Sequence, residues 1–214
     1  HRMKETQKVD SKDVGLEIGL ILGKHIFNTE HLHYGYWTDE LPVTLMNLPR
    51  AQQKYSDFLI SHIPEGVTSI LDVGCGVGKF SRQLTDAGYQ VDCVSPSEIF
   101  AERVRSMLEN QGEVYLTKFE EMDTSKKYDL ILFSESYQYI DMEQGFEKCE
   151  QFLNTPGYIL ICDFFETDAE GEKVMGGGHN LTRFYQIVEQ QPFQNLKDLD
   201  ITPQTAPTLD VVDQ

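Results

Sequence analysis

The stretch "ILDVGCGVGKF", Ile70 to Phe80, decides how this chain folds. Apolar residues run into Gly74, Gly76 and Gly78, and Asp72 stands two residues ahead of the first glycine. The pattern predicts a buried strand, a tight turn whose backbone lets a ligand come close, and a helix whose N-terminus faces that ligand.

Working outward, apolar runs and helical patterns alternate. "TSILDVG", "YQVDCVS", "EVYLTKF", "YDLILFS" and "GYILICDFF" read as strands, with helices over 78–87, 97–110 and 143–153 between them. Ser97, with Glu98 beside it, is the expected N-cap of the 97–110 helix. A glycine-rich loop (176–178), a helix around 181–190 and a sixth strand, "NLKDLDI", follow. Upstream, helices are expected over 12–28 and roughly 48–63. This is the signature of an α/β fold: a doubly wound, mostly parallel sheet with helices on both faces and an N-terminal helical extension. Residues 1–47 read as the extension or lid, and 48–214 as the ligand-binding domain.

Composition narrows the partners. The 214 residues suit one well-buried domain. The 35 acids against 18 bases give a formal charge of −17, a surface that repels nucleic-acid backbones and anionic membranes. No apolar run approaches spanning length, so stable membrane insertion is not expected. Cys75, Cys93, Cys149 and Cys162 show no CxxC spacing, and Cys93 and Cys162 lie in strand-like runs as small buried hydrophobes. A reducing cytoplasm is the expected setting.

Two ligand classes suit a glycine turn after a first strand: dinucleotides and S-adenosylmethionine. The dinucleotide fingerprint is GxGxxG, whereas Gly74, Gly76 and Gly78 give GxGxG. A carboxylate near the turn repels pyrophosphate but favours the ammonium of a methionine moiety. The YxxxK pair of short-chain dehydrogenases is also missing. An NAD(P)-dependent oxidoreductase and a non-catalytic cofactor-binding module stay as alternatives.

On these residues the chain resembles the class I S-adenosylmethionine-dependent methyltransferases, over about residues 31–205. "LDVGCGVG" looks like their first motif, and "HYGYW" with "AQQKYSDFL" resembles the entry region of small-molecule members. "SESYQYID" and "DLDITPQTAP" are most similar to tocopherol and geranyl diphosphate C-methyltransferases. The resemblance implies that Asp72, Gly74, Cys75 and Gly76 hold the methionine end of the cofactor. Ser95, followed by Pro96, stands where an acid usually chelates the ribose. Its hydroxyl can bond only one ribose oxygen. Phe119 and Glu120 match the adenine site, as a ring edge and an acceptor, and Ser134 ends the fourth strand at the mouth of the sheet. Tyr36 would close over the cofactor.

Methyl transfer asks mainly for alignment and water exclusion, with a base only where the acceptor must lose a proton. The "[DNS]PP[YFW]" signature of nucleic-acid amino-methylases is missing, so a small-molecule acceptor is expected. Candidate acceptor-site groups are Tyr34, Tyr36, Trp37, Glu135, Tyr137, Tyr139 and His179, with Trp37 weighted toward packing. His179, beyond a glycine loop, is the candidate base, and Tyr139 is the second candidate catalytic group. Gln138-Tyr139 stands where cyclopropane-type enzymes carry a Glu-His pair, which argues against that chemistry. His31 and His33 have no third ligand at useful spacing, so no metal is expected. Finally, only 13 residues follow Ile201, too few for a returning seventh strand, and the expectation is of a C-terminally incomplete domain.

Overall fold

The computed structural model describes residues 31–167 and 178–212. The helix expected over 12–28 lies outside them, as do Gly176 and Gly177.

The chain enters through an extended segment and a 3-10 turn, then forms α1 (Leu48–Ile60). From there the alternation is as expected. The elements are β1 (Ser69–Val73), α2 (Lys79–Asp86), β2 (Gln90–Ser95), α3 (Glu98–Met107), β3 (Val114–Leu116), β4 (Tyr128–Ser134), α4 (Met142–Phe152) and β5 (Leu153–Cys162). The strands form one five-stranded sheet in the order β3-β2-β1-β4-β5. Every neighbouring pair is parallel.

Alternate residues of each strand serve opposite layers. Ile70, Leu130 and Leu132 face Tyr55 and Leu59 of α1, Phe80 and Leu84 of α2, and Val104 of α3. Leu71, Val73, Ile131 and Phe133 face Phe146, Cys149 and Phe152 of α4 on the other side. Because both faces are covered, the strands read as continuous apolar runs, which is what made them legible. Ser97 caps α3 by accepting from the Phe100 N–H, and Asp141 caps α4 by accepting from Gln144.

The sixth strand does not form. After a short parallel ribbon, β6 (Phe165–Glu166) with β7 (His179–Asn180), and α5 (Leu181–Val188), residues 195–201 are irregular. Polar side chains tie this stretch down: Asp198 accepts from the Tyr185 hydroxyl, and Lys197 Nζ lies 3.0 Å from His62 Nε2. Leu196 and Leu199, which a buried strand would hide, are exposed. The two prolines of the last segment instead begin the helical pieces α6 (Thr202–Thr205) and α7 (Pro207–Val212).

These helices pack back on the entry segment. Trp37 is buried with Leu41, Leu48, Ala51 and Val211, so it is a packing residue. Thr208 Oγ1 accepts from Gly35 N at 3.0 Å and Trp37 Nε1 at 2.9 Å. No helix among the described residues is long and apolar enough to cross a membrane.

Candidate cofactor and acceptor site

The sheet order reverses between β1 and β4, and the glycine turn leaves β1 at that crevice, where α/β ligands bind. Gly74, Gly76 and Gly78 have φ of +74°, +55° and +83°, conformations that glycine adopts without strain. At Gly74 the space is also closed to any side chain, because a Cβ there would lie 2.4 Å from Ser136 Cβ. Ser136 is fixed by donating to Val73 O at 2.5 Å. At Gly76 the nearest neighbour of such an atom is Leu32 Cδ1, at 3.4 Å. The turn is therefore held by β4 from one side and touched by the entry segment from the other.

Asp72 lies beneath the turn, 2% exposed, and accepts a 2.6 Å hydrogen bond from Ser81 Oγ of α2. Burial pushes its pKa up to about 6, with the Ser81 bond opposing the shift. It is a carboxylate at neutral pH, held there by one neutral donor. The Cys75 thiol is pushed well above its ordinary range by its contact with Cys93 and by burial, which makes it inert packing at the turn.

A second group of polar residues collects where β4 and β5 end side by side, Ser134 paired with Cys162. Glu135 and Asp163 each follow directly. Glu135 adopts φ +55°. Its N–H donates to Cys162 O at 2.8 Å, and its Oε1 accepts from the Tyr34 N–H at 2.9 Å. Burial raises the Glu135 carboxyl to about 8, Asp163 adds to the rise, and hydrogen bonds from Tyr34 and Tyr55 oppose it. Asp163 is raised by burial as well, although its Oδ2 accepts from Gln138 N at 3.0 Å and its Oδ1 from Phe164 N at 2.8 Å. Tyr34 meets the Phe164 ring at 4.7 Å, and Tyr55 stacks on His33 at 4.6 Å. The Tyr55 hydroxyl lies 3.1 Å from Cys162 Sγ and 3.5 Å from Ser134 Oγ. Burial holds His33 neutral by lowering its pKa to about 4, and among the described residues no His, Cys, Asp and Glu group could hold a metal.

Several expected roles change. The Phe119 ring is 2% exposed and packs against Phe133 and Phe152 in the core, so it is not available to an adenine ring. Glu120 is turned to the start of α4, accepting from Asp141 N at 3.2 Å. The Ser95 hydroxyl is buried and accepts from the Ser97 N–H at 3.3 Å, while Pro96 stands exposed beside it. Tyr36 stacks on Phe58 of α1 at 4.8 Å, and Leu32 takes the place beside the turn that Tyr36 was expected to fill. Tyr137 is fully buried against Phe133, Phe146 and Phe184.

His179 does not stand free on a loop. Its Nε2 lies 3.0 Å from Tyr137 O and 2.9 Å from Ile140 O. Both are acceptors only, so Nε2 carries the proton and cannot act as a base there. Tyr139, on the 3-10 turn Tyr137–Tyr139, is 73% exposed, and its phenol is raised by burial and by Asp163 and Glu135. Tyr55, Asp163 and Ser136 were not anticipated. Asp163 was readable, as an acid directly after the fifth apolar run; Tyr55 was hidden in the buried face of a helix.

Comparison with known proteins agrees with this layout. Residues 71–161 match the methyltransferase-domain family. Sarcosine/dimethylglycine N-methyltransferase of Aphanothece halophytica is 30% identical over 159 residues, 70% of this chain and 56% of that protein. The chain spans about half the length of the first curated relatives it matches, 40%, 56% and 58% of each. Among solved structures, geranyl diphosphate C-methyltransferase from Streptomyces coelicolor A3(2) superimposes with a TM-score of 0.75 at 17% identity, over 97% of this chain and 89% of that one. The [4+2]-cyclase SpnF superimposes with a TM-score of 0.74 at 14% identity, over 94% and 80%. At such identities the likeness speaks for the fold.

Proposed function

From the premise that this chain is a class I S-adenosylmethionine-dependent methyltransferase by its fold, with the methyltransferase-domain family over residues 71–161, we propose that it methylates a small-molecule acceptor. The observation that carries the reading is the left-handed glycine turn at the switch point with an ionised Asp72 beneath it. A carboxylate there repels a pyrophosphate and attracts an ammonium.

The residues fit the cofactor's methionine end. Gly74, Cys75 and Gly76 would bring backbone close to the ligand, and Asp72 would offer charge to its ammonium. At the nucleoside end, Phe119, Ser95 and Glu120 are engaged elsewhere, so the Ser95–Pro96 and Phe119–Glu120 positions would contribute backbone groups. When bound, S-adenosylmethionine supplies a methyl carbon activated by a sulfonium. Glu135, Tyr34 and Tyr139 gather beside this turn, at the ends of β4 and β5, where they would orient an acceptor. The curated relative acting on sarcosine and dimethylglycine supports a small acceptor.

Thermal shift with S-adenosylmethionine, S-adenosylhomocysteine, NAD and NADP at matched concentration tests this. Stabilisation by the first two alone is expected. A shift with NAD only would replace the reading by the oxidoreductase one. Cofactor binding without methylation of any acceptor pool would leave a binding module.

A further inference from the structure

We propose that the acceptor is a small amine, bound as its ammonium between Glu135 and Asp163 and methylated on nitrogen. The inference rests on the methyltransferase reading and names the acceptor that the crevice selects.

The two carboxyls extend from the C-terminal ends of adjacent parallel strands, β4 and β5, beside the glycine turn that Ser136 contacts. An acceptor approaching a cofactor held at that turn would meet them, and their chemistry decides its sign. The protein groups acting on Glu135 are Asp163, Tyr34 and Tyr55. Those acting on Asp163 include backbone N–H groups of Tyr137, Gln138 and Phe164, and His179. Tyr139 and Cys162 also face the pair. Of these only His179 can carry positive charge, and its Nε2 is turned to carbonyl oxygens. Neighbouring carboxyls at these strand ends, with no facing lysine or arginine among these groups, repel one another and favour an incoming cation.

Aromatic rings stand around the acids. Tyr34 and Phe164 meet edge to face at 4.7 Å, Phe164 is 37% exposed, and Tyr139 is 73% exposed. Ring faces beside carboxylates favour an ammonium through the ring quadrupole as well as the charges. An acceptor carrying a diphosphate would be opposed by the pair and by the chain's charge of −17.

The reaction balances with groups on the page. Glu135, as a carboxylate, takes one proton from the ammonium nitrogen, which frees its lone pair. That pair forms the new C–N bond while the C–S bond breaks and its electrons return to sulfur as a neutral thioether. The product leaves as the methylated ammonium, and Glu135 returns its proton to water. The raised Glu135 carboxyl suits this exchange, since an arriving cation lowers its pKa and readies it as the base.

The test uses the whole chain, methyl-labelled S-adenosylmethionine and three sorted acceptor pools: primary and secondary amines, alcohols with thiols, and allylic diphosphates. Label is expected in the amine pool. Glu135→Gln, which keeps an acceptor for the Tyr34 N–H, should lower amine labelling about 100-fold, the scale of a lost general base. Its affinity for S-adenosylhomocysteine should be unchanged, which also reports that the variant is folded. Label in the alcohol–thiol or diphosphate pool, in no pool, or at the parent rate in Glu135→Gln overturns the amine assignment. Failure of S-adenosylhomocysteine to bind the parent protein overturns the methyltransferase reading instead.

Discussion

Ser81 donates a 2.6 Å hydrogen bond to Asp72, and among the described residues this is the side-chain bond that steadies a carboxylate buried under the glycine turn. The folded pKa of Asp72 is about 6 against 3.8 for the free side chain, so between those values the folded state binds more protons than the unfolded state. Stability of the cofactor-free protein therefore falls as pH rises from 3.8 to 6, by about 3 kcal/mol in all if Asp72 alone is responsible.

Asp72→Asn should remove that slope and make the cofactor-free protein more stable at neutral pH. The same change should weaken S-adenosylhomocysteine binding by about 1–3 kcal/mol, the scale of a charge-assisted hydrogen bond. In the parent protein, affinity should rise with pH through about 6, because the ammonium prefers the ionised acid. Calorimetric titration at several pH values, with denaturant melts of both proteins, separates these effects. An affinity indifferent to both pH and the substitution would remove Asp72 from the cofactor site.

Gly74→Ala should be more damaging than a usual glycine substitution. The left-handed φ of +74° alone costs a non-glycine residue about 1–2 kcal/mol. The added methyl would also meet Ser136 Cβ at 2.4 Å, so the turn or the β4 end must move. Loss of cofactor binding in a protein that still unfolds cooperatively is the expected result, read by thermal shift and titration. Gly66→Ala is the comparison: its φ is +87° but nothing surrounds the site, so cofactor binding should persist.

How much of this was legible follows from where the information sits. Ile70–Val73 and Leu130–Phe133 announce themselves because each strand is apolar on both faces, and Ser97 announces a helix start by local hydrogen bonding. Residues 195–201 misled because Leu196, Leu199 and Ile201 look strand-like, while the partners that hold Lys197 and Asp198 elsewhere, His62 and Tyr185, are set by the tertiary fold. Phe119 misled for a related reason. A phenylalanine at the end of a strand reads alike whether its ring faces a ligand or the core, and here Phe133 and Phe152 claim it. Glu135 and Asp163 were visible as letters, but their pairing depends on the β4–β5 register.

For His179 the geometry predicts a positioning role. Its Nε2–H holds the carbonyls of Tyr137 and Ile140, fixing the turn that carries Tyr139. His179→Ala should lower the melting temperature and depress turnover by a similar factor at every pH. A histidine base would instead add an ionisation limb to the rate profile. Disappearance of such a limb in His179→Ala would return the residue to the role of base.

The last prediction concerns Thr208, which joins the two ends of the described chain. Its hydroxyl oxygen receives both the Gly35 N–H and the Trp37 indole N–H, and the residue is 4% exposed. Thr208→Val keeps shape and volume but offers neither donor an acceptor. Each of the two buried unsatisfied groups costs about 1–3 kcal/mol, so a loss of about 2–6 kcal/mol in urea unfolding is expected. Thr208→Ser keeps the oxygen and removes one methyl group, worth about 1 kcal/mol. The entry segment also places Leu32 against Gly76 and gives the Tyr34 N–H to Glu135. Loosening it should therefore weaken S-adenosylhomocysteine binding, because only the docked fraction of molecules presents a complete site. Affinity should fall in Thr208→Val and stay near the parent value in Thr208→Ser. Equal stability and affinity for Val and Ser would show that the methyl group rather than the hydrogen bonds secures the segment.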